Sequence, residues 1–235
     1  MSGAYTTIDD PSAFFQTLLY TGDDSTDRAL TNDGNSDLQP DFVWIKCRND
    51  AFDHVMFDST RGASTSTTGT QLSSNLNAGQ PSNTNGHVKS FNSDGFNVRS
   101  GSSGSNPLVG VNKDSKTYVA WQWKANGGTT STNSDGSVDV TIQVNSTAGF
   151  SIMKWNGNGN TSGTVGHGLG AVPDMIINKY GLGGTSNWGV AFPKFETSKL
   201  IVLNSNSNGF QSASGMSNYN SSTFVDGNGA DTSGT

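Results

Sequence analysis

The sequence predicts an all-β protein: an antiparallel β-sandwich of jelly-roll or lectin-like topology, built from two tandem related modules, the second incomplete. Three observations predict it. Short runs alternate apolar and polar residues at strand period, separated by "NDGNSD", "NSDG", "NGNGN" and "GLGG", whose residues accept positive φ or bond their own backbone. No 12-residue window carries a convincing helical period. Segments of the first half return, in order, in the second.

Taken along the chain, the first strand is expected over 14–20. "DPSAFFQTLLY" is the only helix competitor, with Asp10 as N-cap and Pro11 at N1. Its likeness to "AGFSIMKW" (Ala148–Trp155) favours a strand with a short helical or turn lead-in. Further strands are expected near 42–47, 54–58, 70–74, 88–91, 95–98 and 117–124. In the second half they fall near 138–144, 149–155, 174–179, 188–192, 199–204 and 208–211. The stretch "GTVGHGLG" (Gly163–Gly170) reads as a glycine-bearing hairpin turn before "PDMIINK".

The repeats are collinear. "AFFQTLLYTG" matches "AGFSIMKWNG", "PDFVWIK" matches "PDMIINK", and "HVMF" matches "GVAF", at offsets of 133–135 residues. "LSSN" matches "IVLN", and Phe96 matches Phe224, at offsets of 128–129. The first module is therefore expected over 1–126, a flexible polar linker over 127–135, and the second module over 136–235. "TYVAWQWKANGG" (Thr117–Gly128) appears once. Tyr118, Ala120 and Gln122 share one face of it, and Val119, Trp121 and Trp123 the other. Two tryptophans mark it as a core strand. By the offset its counterpart falls beyond Thr235, so the second module is expected to lack its closing strand. A longer polypeptide or another chain would supply it, and a sandwich without it exposes a sheet edge and apolar surface.

Composition bounds the function. Hydrophobic residues are 31% and charged residues 14%, with aromatics at 9% and net charge −6. This is a thin-cored, loop-rich domain with a near-neutral polar surface, not a disordered chain. Basic residues are scattered, which argues against nucleic-acid partners and membrane-surface binding. No apolar run is long enough for membrane insertion, and "MSGAYTTIDD" has no signal-peptide pattern. The single cysteine, Cys47, reads as a small buried hydrophobe.

Beyond repeating, "LQPDFVWIKCRNDAFDHVMFDSTRGAS", "LSSN", "SFNSDGF", "TYVAWQWKANGG", "GTVGHGLGAVPDMIINKY" and "NWGVAF" resemble a domain of marine tailed-phage tail-fibre and virion structural proteins. That domain is commonly likened to concanavalin-like or laminin-G-like jelly rolls. The resemblance covers about Ala13 to the end. It departs where the second copy is cut short and where a charged "KNRD"-type turn is "NKYGLGG". It implies a virion location, with the protein made in the host cytoplasm. It also implies virion-protein partners in the tail or capsid, a host-surface glycan or protein as target, and a homo-oligomer, commonly a trimer. The expected role is a tail fibre or tail-associated appendage; capsid decoration and a carbohydrate-binding module are the alternatives.

Catalysis is not expected. Glycoside hydrolysis needs paired carboxylates, and the chain holds one glutamate, Glu196. Asp58 is the most strand-like aspartate and reads as structural. His54, His87 and His167 sit at no metal-ligand spacing. "GTVGHGLG" lacks the Lys-Ser/Thr of a phosphate loop. No cofactor is expected; "TGDDSTD" (Thr21–Asp27) and "DGNGAD" (Asp226–Asp231) are the calcium candidates, against a reading as solvated loops. The candidate glycan contacts are Trp155, with Asn156 and Asn158 beside it, and Trp188. Exposed rings flanked by amides stack on sugars, although both tryptophans also occupy positions that match core residues of the first copy. Trp44, Trp121 and Trp123 are expected in the core or between sheets.

Overall fold

A computed structural model describes residues 8–62, 70–80, 86–101, 110–179, 185–206, 210–212 and 215–227. Asp10 caps a single 3₁₀ turn, Pro11–Ala13, by accepting the Ser12 amide, and the chain then extends into a strand. In the first module the strands are β1 (Phe15–Thr21), β2 (Arg28–Leu30), β3 (Phe42–Cys47), β4 (Val55–Asp58), β5 (Leu72–Ser73), β6 (His87–Phe91), β7 (Phe96–Arg99) and β8 (Thr117–Trp123). One sheet has the order β1-β8-β3-β4-β5, the other β2-β7-β6, and every pairing is antiparallel. Leu18, Tyr20, Val43, Ile45, Cys47, Phe57, Tyr118 and Ala120 of the large sheet meet Leu30, Val88, Phe96 and Val98 of the small one. The result is a two-layer sandwich.

The second half adds β9 (Ser131–Asn133), β10 (Val140–Asn145), β11 (Phe150–Trp155), β12 (Thr164–Gly166), β13 (Ile176–Lys179), β14 (Trp188–Phe192), β15 (Glu196–Val202), β16 (Gln211–Ser212), β17 (Met216–Ser217) and β18 (Thr223–Asp226). Its sheets run β11-β10-β9, β13-β14-β15-β16 and β12-β18-β17. Val140, Ile142, Ile176, Ala191 and Leu200 pack on Val165, Met216 and Phe224. The duplication read from sequence is visible in the topology. β3-β4-β5 returns as β13-β14-β15, β2-β7-β6 returns as β12-β18-β17, and β1 returns as β11.

Three expectations are corrected. The 127–135 segment is not a flexible linker, because β9 lies in it and pairs with β10. Gly127 and Gly128 also donate their amides to buried Asp41. "GTVGHGLG" is not a hairpin turn, because Thr164–Gly166 pairs with β18 and not with β13. The inward face of β8 is Tyr118, Ala120 and Gln122, each fully buried; Trp121 and Trp123 are half-buried on the outer face. Strands β2, β9, β12 and β17 carry too few residues to show a period.

The modules share a buried seam. Trp188 packs on Met56 and Leu72, with Phe42 and Trp44 against them. Phe150 of β11 stacks on Trp123 of β8 at 6.2 Å. Gln143 of β10 donates to the hydroxyls of Ser59 at 2.7 Å and Thr60 at 3.0 Å. None of the described helical residues forms a helix long and apolar enough to cross a membrane.

Candidate functional site

Of the predicted glycan contacts, Trp188 is corrected outright. It is 5% exposed, and its indole N–H donates to the Ser73 carbonyl at 2.9 Å, so its ring faces the first module and not solvent. Trp155 is half-buried; its indole donates to Asp226 at 3.1 Å and its ring meets Phe224 edge-on at 6.2 Å. Asn156 and Asn158 are exposed, and the Asn158 side-chain Oδ1 accepts the Asn160 backbone amide at 3.0 Å. All four line one cavity, but Trp155, Asn156 and Asn158 lie on its second-module side, and Trp188 lies buried in the seam with its indole nitrogen already engaged.

The aspartates of "TGDDSTD" are engaged. Asp23 takes the Ser25 amide and the Asn112 side chain, with Arg28 at 3.5 Å. Asp24 pairs with Lys113, and Asp27 with Lys89. These cations compete with a dication for the same oxygens. In "DGNGAD", residues 228–231 lie outside the described residues, and Asp226 is buried under Trp155. The histidines stay apart. His54 accepts the Trp44 indole N–H, and its pKa is lowered by burial first and by nearby Lys46 second. His167 accepts the Leu169 amide at Nδ1, leaving Nε2–H to donate to the Asn220 carbonyl. Among the described residues no group of three or more His, Cys, Asp or Glu side chains is placed to hold a metal ion. Asp58 is structural: it pairs with Arg61 in a buried contact.

What sequence reasoning did not locate is a cavity of about 1400 Å³ between the modules, lined by β11 and β13 of the second and, across the seam, by Phe42, Met56 and Leu72 of the first. One wall is β11, from Phe150 to Trp155, and another is β13, from Ile176 to Lys179. Both are edge strands among the described residues. In the first module the equivalent strands, β1 and β3, are joined by β8, which pairs with β1 over Phe15–Thr21 and with β3 over Phe42–Cys47. The cavity thus lies where a β8 equivalent would run. The side chains along it carry the mark of that vacancy. Phe42 and Trp44 of β3 rest on Trp123 and Trp121 of β8, at ring separations of 5.4 and 6.2 Å. Their counterparts in "PDMIINK", Met175 and Ile177, are 54% and 41% exposed. Asn178, which stands where the first module has Ile45, is 6% exposed, and its side-chain N–H₂ has no hydrogen-bond partner.

Residues 10–235 match one family model, described as "Domain of unknown function (DUF7483)". The chain belongs to that family. The match spans both modules, so the family unit includes the sandwich pair with its seam. No curated protein and no solved structure matches the chain.

Proposed function

We propose that the protein is a structural component of a tailed-phage virion, a tail fibre or tail-associated appendage that meets the host surface. Two kinds of observation support the reading. The ordered motifs of both modules resemble those of virion structural proteins. The observation that carries the mechanical side is the seam: Trp188 and Gln143 bridge the two sandwiches and Asp41 pins the segment between them, which suits a stiff load-bearing element better than jointed beads. In this reading its partners are other virion proteins, with self-association into an oligomer.

Mass spectrometry of purified virions, with immunogold labelling, tests the proposal. Label at the tail, in multiples of three or six copies, supports it. Label following capsid symmetry replaces the tail role with head decoration, and absence from particles overturns the reading. A glycan array on the same protein separates attachment from scaffolding, with Trp155→Ala as the diagnostic variant. Trp188→Ala is unsuitable there, since it opens the seam.

A further inference from the structure

Among the described residues, the space between β11 and β13 has the edges and side-chain chemistry of one absent strand. Both edges offer unpaired strand backbone among the described residues, and they are walls of the same cavity. Exposed Met175 and Ile177 form an apolar row on one face of it. Beneath them, on the inward face, sits the Asn178 amide with its donor unmet, an arrangement that costs stability until an acceptor arrives. The acceptor has a precedent in the first module. Gln122 of β8 is fully buried and donates to Asn32, while its Oε1 finds no partner. Gln122 pairs with Val43, one inward position from Ile45. Transferred to the second module, such a glutamine sits opposite Ile176 and diagonal to Asn178, within reach of a long side chain. The orphan acceptor of one strand and the orphan donor of the other are complementary.

We propose that this slot docks an extended peptide strand of the β8 pattern, antiparallel to both β11 and β13. Its large aromatic residues cover Met175 and Ile177, and small or amide side chains face the core, with a glutamine accepting from Asn178. This is β-strand addition, in which main-chain hydrogen bonds supply affinity and alternate side chains supply selectivity. The inference stands apart from the virion reading, since it rests on the sheet edges, the cavity and the side chains along it.

The test uses the 235-residue protein and a synthetic peptide with the sequence of residues 115–126, SKTYVAWQWKAN. The expected result is saturable one-to-one binding, a raised melting temperature, and new amide-exchange protection at 150–155 and 176–179. A peptide with the same residues shifted one place in alternation binds at least about tenfold more weakly, because every side chain changes face. Asn178→Val weakens the glutamine peptide by roughly two- to tenfold and leaves its Gln→Val version unweakened. A second form of the protein carries the same residues tethered after Thr235, so that peptide solubility does not decide the outcome. Absence of binding by the free peptide, together with no rise in melting temperature for the tethered form, overturns the proposal. So does a concentration-dependent dimer that excludes the peptide, which would assign the slot to a second copy.

Discussion

The indole nitrogen of Trp188 lies 2.9 Å from the carbonyl oxygen of Ser73, joining strands that belong to different modules and are separated by 115 positions in sequence. The ring also fills the gap over Met56 and Leu72. Trp188→Ala should therefore cost about 3–5 kcal/mol in urea-induced unfolding. Trp188→Phe, which keeps most of the packing and leaves the Ser73 carbonyl only the Leu76 amide at 3.3 Å, should cost about 1–2 kcal/mol. A Trp188→Ala protein as stable as the parent would show that the seam contributes nothing.

Asp41 pins the segment that leads from the first module into the second. Its buried carboxylate accepts the amides of Ala125 at 2.7 Å, Gly127 at 2.8 Å and Gly128 at 2.6 Å, and the Ser59 hydroxyl at 2.7 Å. Gly127 and Gly128 hold φ of +61° and +81°, a backbone that turns successive amides toward one anion. Asp41→Ala removes the acceptor of the buried Ala125 amide and the half-buried Gly127 amide, while Gly128 keeps Gln143 Oε1 at 3.0 Å, and should lower stability by about 3 kcal/mol. Asp41→Asn, with one acceptor oxygen kept and an N–H₂ set against amides, should lose about 2 kcal/mol. Chemical denaturation midpoints at constant slope check both values, and a change below about 0.5 kcal/mol contradicts the account.

How much of this was legible in the sequence depends on the range of the interaction. β3 and β13 were readable because Val43, Ile45 and Ile176 keep a strand alternation of their own. The duplication was readable because its motifs keep their order. The two glycines after Asn126 looked like a hinge because their partner, Asp41, lies more than 80 positions earlier. The β8 tryptophans are expected in the core or between sheets, and only the second holds for Trp123. Alternation shows that two faces differ, and not that the larger rings are needed outside, where Trp123 meets Phe150 of the other module. Trp188 beside "TSN" had the neighbours of a sugar platform, and only the fold brings Ser73 to it. The cavity was foreshadowed by the unrepeated aromatic strand; the orphan amide of Asn178 was not, because an asparagine in a strand looks the same with or without a partner.

Acid should loosen the β1–β2 loop. The Ser25 hydroxyl and amide, with smaller help from Asn112 and Arg28, hold the Asp23 carboxyl down to about 2. Its folded value thus lies below the unfolded one of about 3.9. The stabilisation it gives is complete above the unfolded value and disappears as pH falls through about 2. Asp23→Asn should be less stable than the parent at pH 7, and the two melting temperatures should converge between about pH 4 and pH 2. Hydrogen bonds outrank the Arg28 charge here, so the difference at pH 7 should survive about 1 M salt. Parallel melting curves across that pH window would contradict the assignment.

Asp58 and Arg61 offer a cleaner measurement, because both side chains are 8% exposed and the pair is screened little by salt. The Arg61 guanidinium also donates to the Thr70 carbonyl at 2.6 Å and to Gln80 at 3.1 Å, while Asp58 accepts the Arg61 amide at 2.8 Å. Removing one partner leaves the other charge buried and uncompensated. Asp58→Asn and Arg61→Met should each cost about 3–5 kcal/mol. The double variant removes both charges at once, so it should cost far less than the sum, giving a coupling of roughly 2–3 kcal/mol in a double-mutant cycle. The Thr70 carbonyl and Gln80 lose their donor in either Arg61 variant, which keeps the double variant from full recovery. Additive single effects would mean that the two groups are solvated independently, and that the turn after β4 is held by its backbone hydrogen bonds alone.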